Sequence, residues 1–306
     1  MNLTPERTWN GATTLVSPEL VHRLEPISLR ARLVVEGFLT GLHRSPYHGF
    51  SVEFAEHRMY QPGDPLRHVD WKVVGRTDRY YIKQYQEETN LRAMVVLDVS
   101  GSMGFKGGGT VTKAEYSRTV AAALIHLLLT QRDAVGLAPF DTAPREIMQP
   151  RSAMTWRDEL FAALVRNEPG GETSLGEALH RVAERLGRRG LVILISDLLD
   201  DPEPLLEGLH HFRHNGHEVL ALQVLDPREV DFAFDRESKF VELESGKSLS
   251  ANPWQVGNEY RSEMHRFLET LRDGCARHHV QHHLLTTDTP VEQALLALLI
   301  ARQRIR

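Results

Sequence analysis

"VVLDVSGSMG", residues 95–104, is the stretch whose reading decides the fold. Small apolar residues run unbroken from Ala93 to Leu97 and stop at Asp98. A short continuous apolar run that ends in turn residues reads as a strand buried on both faces. Immediately past it, Asp98, Ser100 and Ser102 occur at every second position, with Gly101 between and Gly104 after. In extended chain, residues two apart point to the same side. One carboxylate and two hydroxyls are therefore expected to converge, and an all-oxygen set of this kind suits a hard divalent cation. Mg²⁺ in particular takes six oxygens at ~2.0–2.1 Å.

Working outward from this strand, apolar runs and amphipathic segments alternate. Strands are expected at 92–98, 133–140, 190–197, 217–225 and 280–287, with a short edge strand at 145–149. Helices are expected at 111–131, 155–167, 174–187, 202–215, around 259–279 and at 290–304. Continuous apolar strands alternating with helices imply a doubly wound α/β fold, its mainly parallel sheet covered by helices on both faces. Before this region, 17–42 reads as a helix with Leu20, Leu24, Leu29, Leu33 and Phe38 on one stripe. Residues 43–88 are rich in aromatics and turns and read as a small β-rich unit. The organisation expected is 1–90 as an N-terminal helix and β-rich unit, then 91–306 as the α/β domain. A hairpin insertion near 230–250 is expected, formed by "VDFAFD" and "SKFVELES".

In doubly wound sheets, ligands bind outside the carboxyl ends of the strands. Two further pieces fall there. "GGETSLGEAL" places Thr173 in a Gly-rich loop before a helix, and "LVILISDLLD" places Ser196 and Asp197 at the end of another central strand. The candidate metal ligands are thus Asp98, Ser100, Ser102, Thr173 and Asp197, from three loops on one rim. So few charges leave the ion electron-poor, and a partner's Asp or Glu would complete its shell. Mg²⁺ is the cofactor expected, with Mn²⁺ and Ca²⁺ as alternatives.

D-x-S-x-S, a Thr in a Gly-rich turn, and an Asp after a second apolar strand together resemble the metal-ion-dependent adhesion site of von Willebrand factor A domains. A narrower resemblance covers about residues 45–302. "GFSVEFAEHRMYQPGDPLRHVDWKVVGRTDRYYIKQYQEE" and "FVELESGKSL…YRSEMHRFLETLRDGCARHHVQHHLLTTDTP" are similar to bacterial proteins grouped as domain of unknown function 58. That resemblance implies partnership with an AAA+ ATPase of the MoxR type in chaperone-like assembly or maturation of other proteins. The reading is therefore a divalent-cation-dependent protein-binding module, not an enzyme. A metal-dependent phosphohydrolase and a scaffold with a vestigial metal site are the alternatives.

Composition sets bounds on this reading. A net charge of −5 over 306 residues gives no ground for nucleic-acid binding. Cys275 is the single cysteine, so no intramolecular disulfide forms. The most apolar stretches, 119–129 and 294–301, fall short of the ~20 residues that span a bilayer and read as buried helix faces. With no signal pattern at the N-terminus, the cytoplasm is the compartment expected.

Other motifs read as structural. "GFKGGGTVTK" (104–113) lacks the Gly-Lys-Ser/Thr ending of a phosphate loop and reads as a flexible lip on the metal rim. His210, His214, His278, His279, His282 and His283 lack the accompanying ligands of a zinc site and read as solvated helix faces. Asp64, Arg67, Asp70 and Arg76 are expected to form an ion-pair network fixing the β-rich unit to the α/β domain.

Overall fold

The computed structural model describes residues 26–44, 57–59, 74–75, 80–83, 91–171, 174–187, 189–234, 238–241, 248–251 and 253–305. The chain runs α1 (Ile27–Arg44), β1 (His57–Met59), β2 (Tyr81–Lys83), β3 (Arg92–Asp98), α2 (Lys113–Thr130), β4 (Ala134–Phe140) and β5 (Met148–Arg151). It continues α3 (Trp156–Arg166), α4 (Leu175–Arg185), β6 (Leu191–Ser196), α5 (Pro202–His214), β7 (Glu218–Leu225) and α6 (Pro227–Asp231). The last elements are β8 (Ser238–Val241), β9 (Ser248–Ala251), α7 (Pro253–Arg277), β10 (Gln281–Thr286) and α8 (Glu292–Ile305).

Six strands form one sheet in the order β10-β7-β6-β3-β4-β5. All neighbours pair in parallel except β5, which runs antiparallel to β4 at the edge. Side chains alternate across β3. Val95 and Leu97 face one core with α1, α2, α3 and α8, whereas Met94 and Val96 face the other with α4, α5 and α7. Burial on both faces explains why these strands read as unbroken apolar runs. The doubly wound α/β architecture expected from the alternation is observed. Among the described residues no helix is long and apolar enough to cross a membrane. The apolar stretches of α2 and α8 are instead buried in the first core.

Three local expectations are corrected. In the N-terminal helix, the described part of which starts after Pro26, the buried stripe is Ala31, Val34, Val35 and Phe38, packed on α2. Leu29 is exposed and Leu33 only half-buried. The i, i+3, i+4, i+7 spacing of 31, 34, 35 and 38 makes a tighter stripe than the leucines do. Leu20 and Leu24 lie outside the described residues.

The hairpin near 230–250 is present, but "VDFAFD" is not one of its arms. β8 pairs with β9, Ser238 opposite Ala251 and Val241 opposite Ser248. The first two residues of "VDFAFD", Val230 and Asp231, belong to helix α6, which Asp226 and Glu229 start with a capping box around Pro227 at the first helical position. Finally, the edge strand begins at Met148 rather than 145. Arg145 is already bonded, N–H to the Pro139 carbonyl and side chain into the rim loops. The Asp64–Arg67–Asp70–Arg76 network lies outside the described residues.

Candidate metal centre

β3 and β6 are adjacent and parallel, so Asp98 and Asp197 leave the sheet side by side at its carboxyl edge. Two hydrogen bonds fix Asp98. Its Oδ1 accepts the Ser100 N–H at 2.9 Å, and its Oδ2 accepts the Ser196 hydroxyl at 2.6 Å. Ser196 Oγ in turn accepts the N–H of Leu198 at 3.1 Å. Leu198, fully buried, has φ +54°, a left-handed conformation unusual for a leucine. Strain of this kind gathers at functional sites.

The hydroxyls of Ser100 and Ser102 lie 3.1 Å apart, and Ser102 donates to Asp197 Oδ2 at 2.8 Å. Asp98, Ser100, Ser102 and Asp197 therefore meet as the alternation predicts. Thr173 lies outside the described residues. The loop leading to it is held against the same turn: Gly101 N–H donates to the Gly171 carbonyl, and Gly170 N–H to that of Val99. Gly171 takes φ +88°, where glycine is unstrained. Arg145 also clamps the loop through the carbonyls of Glu168 and Gly170.

The donors suit a hard dication: two carboxylates and hydroxyls, all oxygen. Among the described residues, no group of three or more His, Cys, Asp or Glu side chains is arranged to hold a metal. Any ion here would depend on the serine hydroxyls. Burial, and then the negative charge of Asp197, push the Asp98 carboxyl up to about 7. Asp98 is thus a buried carboxylate short of positive charge, the electrostatic deficit that a cation would relieve.

Asp197 differs. Burial would raise its pKa, but the Lys113 ammonium outweighs this and holds it below the ordinary carboxylate range. Lys113, fully buried at the first position of α2, places Nζ 2.7 Å from Asp197 Oδ2 and 2.6 Å from Glu229 Oε1. The other Glu229 oxygen accepts the Asp226 N–H. The carboxylate of Asp226 accepts the N–H groups of Gly107, Gly108, Gly109 and Arg228. The glycine-rich segment is therefore tied down, and the flexible-lip reading is corrected. Three glycines are used because their backbones close around an internal carboxylate.

Behind Asp197 stands Gln223, fully buried in β7. It donates to the Asp197 carbonyl at 2.9 Å, which turns its Oε1 toward His282 Nε2, also at 2.9 Å. His282 is thus a partly buried donor rather than a solvated residue, a second correction. The Ser174 side chain does not cap the α4 N-terminus. Asp200 accepts the Leu175 N–H, while Asp201 caps α5.

Lys113, Glu229, Asp226 and Gln223 were not singled out from the sequence. Each left a trace there. A lysine at the first turn of a helix opposes the dipole and implies an anionic neighbour. D-P-x-E at 226–229 is a capping box. A glutamine inside "VLALQVL" needs a buried partner.

Burial, then the charges of His283 and Arg272, push the His282 imidazole from its ordinary 6.5 down to about 4. Between these values the unfolded chain binds the extra proton, so stability is lost as pH falls from about 6.5 toward 4. The loss approaches about 3 kcal/mol. Because Asp98 titrates with the opposite sign, the check is differential. Denaturation of wild type and His282→Gln from pH 8 to 4 should show a gap that is constant above pH 7 and shifts against wild type below it.

A family model described as "Protein of unknown function DUF58" matches residues 56–269. The chain belongs to this family. An uncharacterized protein of Mycobacterium tuberculosis is 28% identical over 241 residues, 77% of this chain and 75% of that protein. The crystal structure of the conserved hypothetical protein BatB from Bacteroides thetaiotaomicron is similar at 14% identity and a TM-score of 0.50, covering 71% of this DUF58 chain and all of BatB. The VWA domain of SpRpn10 is similar at 11% identity and a TM-score of 0.41, covering 67% of this chain and 94% of that domain. The DUF58 chain thus shares its α/β fold with the BatB structure.

Proposed function

We propose that this DUF58 protein is a divalent-cation-dependent protein-binding module, and that its partner is a MoxR-type AAA+ ATPase or a client handled with one. The observation that carries the reading is the convergence of Asp98, Ser100, Ser102 and Asp197 at the carboxyl ends of β3 and β6. Those residues, with Thr173, would hold Mg²⁺ directly or through water. An Asp or Glu from the partner would supply a further ligand. Ser102 is the partly exposed member of the set, and Leu199, whose N–H donates to Asp197 Oδ1, is an exposed apolar residue at 38%. The ion would therefore be approached from the Ser102 side. The role is one of binding, since metal hydrolases require a nucleophile, a general base or a second metal beside the first. The buried lysine here is already paired with two carboxylates.

The test is capture of the cognate ATPase by wild type and by Asp98→Ala, each with Mg²⁺ and with EDTA. Asp98→Ala should stay folded by circular dichroism, because Asp98 is a poorly compensated buried carboxylate when no cation is present. Retention only by wild type with Mg²⁺ is expected. Equal retention in all four conditions would overturn the reading. Turnover of a generic phosphate ester, lost in Asp98→Ala, would move the assignment to the phosphohydrolase.

A further inference from the structure

The centre contains a positive charge of its own. Lys113 Nζ and the Ser102 hydroxyl both bind the same oxygen of Asp197, at 2.7 and 2.8 Å. That oxygen faces the other candidate ligands, so an ion drawing on it competes with the ammonium. Lys113 is wholly buried and cannot swing to solvent. It does have a second seat. Glu229 Oε1 is 2.6 Å away, and Glu229 is itself fixed by the capping box of α6.

We propose that Lys113 is a tethered counter-cation that competes with the divalent ion for Asp197, and that Glu229 receives it when the ion binds. This rests on the cation-dependent reading above and adds its regulation. A divalent ion alone then binds weakly, because it must displace or tolerate a fixed positive charge. A partner carboxylate, adding negative charge to the shell, would favour the ion-bound arrangement. The arrangement also reaches outward. The Tyr260 hydroxyl on α7 donates to the Glu229 carbonyl, and its ring lies 4.4 Å from that of Phe232, at the end of α6. A shift of Lys113 toward Glu229 is therefore felt first at α6 and α7.

The two halves of this ion pair make opposite predictions, which a purely structural role does not. Removing the competitor in Lys113→Met should tighten Mg²⁺ binding by about tenfold or more, given the strength of charge interactions at such sites. Removing the second seat in Glu229→Gln should weaken Mg²⁺ binding, because Lys113 then has Asp197 alone. The measurement is Mg²⁺ titration of the purified full chain by calorimetry, with Mg²⁺-dependent thermal shift as a second readout. Circular dichroism serves as the folding control. Because Lys113→Met leaves the carboxylates of Asp197 and Glu229 without their cation, the double variant Lys113→Met/Glu229→Gln is run beside it and should also bind more tightly than wild type. Both changes moving affinity in the same direction, or no change in either, overturns the competition while leaving the metal centre standing. Absence of Mg²⁺ binding in wild type and in every Lys113 variant overturns the metal centre itself, and the competition with it.

Discussion

Asp226→Ala is expected to lower the unfolding free energy by about 3–5 kcal/mol, since four backbone N–H groups lose one shared, charged acceptor. The groups are those of Gly107, Gly108, Gly109 and Arg228, and Asp226 is fully buried. Asp226→Asn should rescue only in part. Its single oxygen can serve Gly108 and Arg228, or Gly107 and Gly109, but its NH₂ then faces the other two donors. The effect has a pH signature. Burial would raise this carboxyl, but the N–H groups of Gly108, Arg228, Gly107 and Gly109 outweigh it and hold the pKa below the ordinary 3.8. The folded state thus favours the ionised form. That part of the stability is present above about pH 4 and disappears as pH falls further. Denaturant unfolding at pH 7 and near pH 3 should show a wild-type advantage over Asp226→Asn that shrinks in acid. A loss under about 1 kcal/mol in Asp226→Ala would mean that the loop holds itself. The same variant should loosen Lys113, because the tied loop ends where α2 begins.

Gly136→Ala is expected to cost about 2–4 kcal/mol, although it adds a single methyl group. A Cβ at Gly136 would sit 2.3 Å from the Met148 carbonyl oxygen and 2.9 Å from the Pro150 nitrogen, both backbone. The obstacle is the edge strand β5, whose register with β4 shifts between Val135 and Leu137. Flexible side chains yield to such a contact; two hydrogen-bonded strands do not. Scanning calorimetry should show a fall of roughly 3–6 °C at this chain length. A midpoint within about 1 °C of wild type, equivalent to about half a kcal/mol, would show that β5 peels away without loss.

The candidate rim and the rest of the site differ in how they were written into the chain. Asp98, Ser100 and Ser102 were legible because they form a local pattern on one strand end. Asp197 was legible because it ends a second apolar run. The strand and helix alternation was legible for the same reason, since each element announces its own burial through its period. Two of the local misreadings arose where signals overlapped. Leucines on the N-terminal helix suggested a stripe, but Ala31, Val34, Val35 and Phe38 were better spaced to pack on α2. The alternating "VDFAFD" suggested a strand, but the helix begun by Asp226 and Glu229 takes in Val230 and Asp231 and ends at Phe232 in a left-handed conformation.

By itself, then, the sequence determined which segments are buried, that the sheet is mainly parallel, and that one rim presents two carboxylates and two hydroxyls. These follow from periodicity, local chain geometry and the rule that parallel strands need helical crossovers. Only the tertiary structure decided what surrounds that rim. Lys113 meets Asp197 across 84 positions and Glu229 across 116, and Asp226 meets the glycine loop across more than a hundred. No local pattern encodes such pairings. They arise because folding brings three chain segments to one low-dielectric edge, where each buried charge must find a partner or remain costly.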